Sequence, residues 1–159
     1  MQSTLKLGVL LLCAGVAAAQ AIPPTQTLDA ASLKAKAAEL LLKARSADAG
    51  IASEVLLQRP ESNIQEAVRV KSGRGEWHRD DADILIGVEG SAQIILGGEI
   101  VNGKETAPGE IRGDGVKGGA TQAFKAGDFI RIEPKVAHQV LLMPGTTFRY
   151  MAVKVRAVQ

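Results

Sequence analysis

Hydrophobic positions along this chain change their period near residue 50. Before it, Leu33, Ala37, Leu40, Leu41 and Ala44 fall on one helical stripe, with Lys34, Lys36, Glu39 and Lys43 mostly off it. Asp29, just ahead of this run, has the side chain of an N-cap. An amphipathic helix is therefore predicted over residues 29–48, after an extended linker at 20–28 that carries Pro23 and Pro24. Its apolar stripe must cover something: the outside of its own domain, a second copy of the chain, or a membrane surface.

From Ile51 onward the pattern shortens to β-rich runs broken by glycine. Residues 53–57 form one run, and Ile64, Glu66, Val68 and Val70 alternate with Gln65, Ala67 and Arg69 in the next. Residues 75–78 and 83–88 read as a hairpin turning through 79–82. Glu89, Gly90 and Ser91 read as a second turn into 92–96, and Gly97 and Gly98 as a third into 99–101. Further strands are expected at 128–132, 138–143 and 148–155. Many short strands with glycine turns and no internal repeat predict an all-β antiparallel barrel or double-sheet sandwich over residues 51–159. Residues 102–126, with glycine at 103, 109, 113, 115, 118 and 119, read as one long loop. It is either an exposed elaboration at the barrel's end or a wall over a pocket. A phosphate loop is excluded, because Gly119 stands where its lysine belongs.

The beginning of the chain follows another logic. Lys6 precedes an apolar run at 7–16 that is too short to span a bilayer, and Ala17, Ala18 and Ala19 offer a cleavage site. Residues 1–19 read as a signal peptide, so the protein is expected to be exported and free of the membrane after cleavage. About 140 residues would then remain, enough for one domain with a core. Cys13, the sole cysteine, would leave with the signal. Disulfides and thiolate metal sites are thereby excluded, and any metal must sit on nitrogen and oxygen. The formal charge of +2 is small and only 3% of residues are aromatic. Without a basic stripe interleaved with aromatics, nucleic acid is not an expected partner.

The chain has two histidines, His78 and His138. On a strand, Glu76 and His78 point to the same face. Asp83 opens the following strand and would be a cross-strand neighbour of His78 if the two form a hairpin. His138 would have to arrive from another strand of the same barrel. Glu76, His78, Asp83 and His138 would then supply two carboxylates and two imidazoles, a donor set suited to a divalent transition metal: Mn, Fe, Ni or Zn. The alternatives are a barrel histidine hydrogen-bonded without metal, a Glu76 solvated near Arg74 and Arg79, and an Asp83 that stabilises a turn. Other chemistries lack their signatures: there is no Gly-x-Ser-x-Gly elbow, no His-Glu-x-x-His, and no cysteine nucleophile after export.

Two spacings resemble the cupin superfamily. Glu76-x-His78, four residues, Asp83, six residues, Gly90 keeps the intervals of the first cupin motif, with Glu76 in place of a histidine and Asp83 in place of the glutamate. Gly127-Asp128 to His138 keeps the separation of the second, with Pro134 one place late and Leu142 where asparagine is frequent. The likeness runs roughly from Ile64 to Val155, and the runs 88–92, 97–99 and 106–113 look like those of small exported bacterial single-domain cupins. It implies a jelly-roll barrel with a central metal or ligand pocket, a fold often found as a homodimer; the helix is expected to pack outside the barrel and a small molecule to be the ligand. It also leaves open a second role, a metal-free binding or assembly module built on a degenerate site.

Overall fold

The structure, a computed structural model, describes residues 27–157. The expected signal peptide, Cys13 and most of the linker lie outside these residues.

Among the described residues one helix, α1 (Ala30–Ser46), precedes the strands. Asp29 caps it by accepting a hydrogen bond from the Ser32 backbone N–H at 2.7 Å. Ala37, Leu40 and Ala44 are buried, with Leu33 and Leu41 half-buried beside them, as the stripe predicts. The helix packs on β1 (Ile51–Arg59) and β2 (Ser62–Arg69), so within the chain it serves as an outer cover. The remaining strands are β3 (Gly75–His78), β4 (Asp81–Leu96), β5 (Glu99–Val101), β6 (Lys104–Ala107), β7 (Glu110–Gly113) and β8 (Gly115–Lys117). They continue with β9 (Ala120–Lys125), β10 (Phe129–Ile132), β11 (His138–Leu141) and β12 (Phe148–Arg156).

All the pairings are antiparallel, and they build two facing sheets. One runs β1–β2–β12–β4–β10. The other runs β9–β4–β11–β3–β7–β6, with the small pair β5–β8 beside it. Strand β4 belongs to both: residues 81–90 pair with β12 and 91–96 with β9. The expected turn at 89–91 is thus an irregularity inside one sixteen-residue strand. Gly90 sits there at φ +80°, and a Cβ on it would lie 2.2 Å from the Thr147 carbonyl oxygen. Glycine lets the strand bend and pass between sheets, which is the corner a closed sandwich needs.

Two further expectations are corrected. β3 does not form a hairpin with β4; it pairs with β7 and β11, and the chain crosses from one sheet to the other between His78 and Asp81. Local turn signals cannot reveal such a crossing, because both strands carry the same alternation. The stretch 102–126 is not a long loop but contains β6 to β9. Its glycines serve tight turns, such as Gly109, Gly118 and Gly119 at positive φ. Trp77 is half-buried on β3, in the sheet other than the one α1 covers.

The interior is graded from dry to charged. At one end Ile94, Phe124 and Phe148 are fully buried, with the two phenyl rings edge-on at 5.0 Å. Along the inward face of β12, Phe148 is followed by Tyr150, Ala152 and Lys154. The plug of apolar side chains closes one end by hydrophobic burial, and polar groups collect at the other.

Candidate metal centre

Glu76, His78, Asp83 and His138 offer ligand atoms that all lie within 4.8 Å of one another. Three of the side chains come from one sheet. Glu76 and His78 share the inward face of β3, and His138 on β11 is the direct cross-strand partner of Glu76. Asp83 reaches them from β4 in the facing sheet, not as a hairpin neighbour. The cluster therefore exists only because the barrel closes.

The distances are those of a compact donor set. His78 Nε2 lies 3.0 Å from Asp83 Oδ2, His138 Nε2 lies 3.4 Å from the same oxygen, and Glu76 Oε2 is 3.8 Å from His138 Nε2. Ligands ~2.1 Å from one ion sit ~3–3.5 Å apart when adjacent and ~4.2 Å when opposite. The two contacts to Asp83 already meet the adjacent spacing, the Glu76–His138 contact exceeds it slightly, and the widest separation in the set, up to 4.8 Å, would have to close by about 0.6 Å to meet the opposite spacing. The imidazole centroids are 5.3 Å apart.

Both imidazoles are oriented from behind. His78 Nδ1 donates to Glu110 Oε2 at 2.6 Å, and His138 Nδ1 donates to the Val136 carbonyl at 3.1 Å. With each Nδ1 engaged, each Nε2 either carries a second proton toward Asp83 or offers a lone pair to a cation. His78 Nε2 is buried and has no aligned hydrogen-bond partner among the described residues. Two imidazolium ions side by side in a closed site repel each other, whereas one divalent ion satisfies both lone pairs and the carboxylates at once.

Burial alone would push the Asp83 carboxyl up. The close contacts from His138 and His78 and the charge of Lys154 outweigh it and hold the group well below the usual carboxylate range. Asp83 is thus an anion at neutral pH, with Oδ2 toward the imidazoles and Oδ1 held by Lys154 Nζ at 3.2 Å. Glu76 is the more encumbered carboxylate: Arg69 holds Oε1 at 3.4 Å and Arg112 holds Oε2 at 2.6 Å.

Arg69, Glu110, Arg112 and Lys154 were not legible as site residues. The periodicity of β12 carried a signal, since Lys154 continues the inward series of Tyr150 and Ala152. Glu110 and Arg112 alternate on one face, but their segment read as loop. Tyr150, rather than Arg149, faces the cavity. Its hydroxyl accepts from Arg69 Nε at 3.0 Å, and burial raises its pKa above the ordinary tyrosine value. The cavity has a volume of about 180 Å³ and is lined by both sheets.

No family model matches the sequence, and no curated protein is similar to it by sequence. Solved structures share its architecture. An uncharacterized conserved protein with a double-stranded β-helix domain from Klebsiella pneumoniae superposes with TM-score 0.53 at 16% identity, over 75% of this chain and 85% of that one. A predicted oxalate decarboxylase from Thermotoga maritima gives 0.51 at 13%, over 67% and 81%. A cupin domain from Schizosaccharomyces pombe gives 0.50 at 6%, over 67% and 65%. At such identities the likeness is one of fold. The described residues form a single curled antiparallel barrel with the fold of cupin, or double-stranded β-helix, structures, with one helix outside and a buried His/Glu/Asp cluster inside.

Proposed function

We propose that the cluster holds one divalent transition metal (Mn, Fe, Ni or Zn) and that the pocket beside it binds or transforms a small molecule. The observation that carries this reading is the convergence of two inward-facing Nε2 atoms on one ionised carboxylate oxygen, with both Nδ1 atoms already engaged. His78, His138 and Asp83 form the tighter set, and Glu76 completes it once Arg112 shares its charge. When bound, such an ion acts as a Lewis acid toward an oxygen of the ligand. Glu110 keeps His78 in the required tautomer, Lys154 keeps Asp83 aimed, and the apolar plug excludes water from behind. Metal analysis of untagged protein tests the reading. About one equivalent after reconstitution is expected, and less than a tenth of an equivalent of every candidate metal rejects it.

A second reading has its own support. Glu76 and Asp83 are already paired with Arg112, Arg69 and Lys154, so the charges of the pocket balance without a metal. A metal-free binding module predicts that His78→Ala and His138→Ala leave ligand binding largely intact. Export and self-association belong to the same proposal. The pattern of residues 1–19 supports the first. The exposed cross-strand pair Ile86 and Phe129 on the outer face of β4 and β10 supports the second, as a homodimer.

A further inference from the structure

We propose that the occupant of the pocket is a small carboxylate anion, held by Arg69, Arg112 and Lys154 beside the metal. This rests on the metal reading above and extends it to the class of ligand.

The first observation is the charge of the cavity. Arg69, Arg112 and Lys154 line it or border it, with side chains 6%, 29% and 19% exposed. Against them stand Glu76, Asp83 and Glu110. Those six groups cancel formally. A divalent ion added among neutral imidazoles leaves two positive charges in a largely closed space, where screening by water is weak. An anion restores the balance, and a dianion does so fully.

The second observation is independent of that count. Arg112 Nη1 and Lys154 Nζ are buried without an aligned hydrogen-bond acceptor among the described residues, although carboxylates lie close to both. Their charges are opposed but their N–H groups are not satisfied, which is unfavourable in a buried site. Glu110 approaches both, at 3.5 Å from Arg112 Nη2 and 3.6 Å from Lys154 Nζ, and a ligand carboxylate on the cavity side supplies the aligned acceptor oxygens, for which an arginine fork is suited. Tyr150 accepts from Arg69, so its own proton is left to donate into the cavity.

The third is size. A cavity of about 180 Å³ is smaller than the pockets that enclose drug-sized ligands and suits a small molecule. Leu85, Val140 and Ala152 provide an apolar wall for its carbon skeleton. The groups that recognise charge come from β2 (Arg69), β7 (Arg112) and β12 (Lys154), and the last two both approach the Glu110 carboxylate.

Calorimetry on untagged protein, stripped and reloaded with Mn(II) or Zn(II), tests the inference with malonate, propionate and uncharged malonamide as probes. Metal content is measured in the same samples. Malonate is expected to bind the loaded protein at least 10-fold more tightly than the stripped protein and more tightly than propionate, with no heat from malonamide. Arg69→Gln and Arg112→Gln should each weaken malonate at least 10-fold when compared with the parent protein at equal measured metal occupancy. Full metal loading with no malonate binding, or with malonamide binding as well as malonate, overturns the anion site and leaves the metal reading standing. Failure to load metal overturns both, and elemental analysis identifies that case. The comparison of probes on the unmodified protein decides the matter even if a variant does not fold.

Discussion

Glu110 touches no cluster oxygen, yet it governs whether His78 can be a ligand. Its carboxylate accepts the Nδ1 proton at 2.6 Å and so leaves Nε2 free to face inward. Removing that charge by Glu110→Gln is expected to lower metal affinity by about 10- to 100-fold, the usual size of such outer-shell effects. A competition assay with a chromophoric chelator would measure it, and an unchanged affinity would show that ring orientation is set elsewhere. Asp83 makes a separate prediction about pH. Its folded-state pKa is depressed, so its carboxylate contributes stability above the unfolded value of ~3.9, and this is lost as pH falls through the folded value. In metal-free protein, Asp83→Asn should be less stable near neutrality and show a flatter decline in acid. Denaturant midpoints collected from pH 7 down to 3 would reveal whether the slope changes.

Helix α1 is fastened to the barrel by charge as well as by its apolar stripe. Beneath it, on the outer face of β2, Glu66 is fully buried and paired with Arg149 at 2.5 Å. Arg149 Nη2 also donates to the Leu33 carbonyl at 3.2 Å, tying β12 to the helix backbone. Lys36 on the helix pairs with Glu54 on β1. A buried carboxylate deprived of its partner is strongly unfavourable, so Arg149→Ala should destabilise the protein by about 3–5 kcal/mol. Replacing both partners by Glu66→Leu with Arg149→Met should recover most of that loss. If equilibrium unfolding shows the single variant within ~1 kcal/mol of the parent protein, the ion pair is not what holds the helix.

The barrel as a whole is a device for bringing distant strands to one interior point. Its two ends have opposite characters, a phenylalanine plug and a charged mouth, and the cluster lies nearer the second. An ion bridging β3, β4 and β11 would cross-link both sheets, so metal should stabilise the entire fold rather than one segment. With free metal 100-fold above its dissociation constant, the gain is ~2.7 kcal/mol, or on the order of 10 °C in Tm for a domain of this size. Scanning calorimetry of stripped and reloaded protein would measure that shift. A midpoint indifferent to metal would separate any bound ion from the stability of the barrel.

Period and punctuation in the sequence were enough to determine the helix with its Asp29 cap, the all-β class, most strand positions and the inward direction of Glu76 and His78. These properties are local, arising from backbone geometry and from side-chain alternation within a few residues. Which strand lies beside which was decided only by tertiary structure. The same alternation that reads as a hairpin also permits β3 to join β7 and β11 while β4 crosses to the facing sheet. That choice follows from burying every strand's apolar face at once, a condition on the closed barrel that no short segment contains. For the same reason Asp83 meets the histidines from across the interior, and Arg69, Glu110, Arg112 and Lys154 become neighbours of the site only when the two sheets face each other.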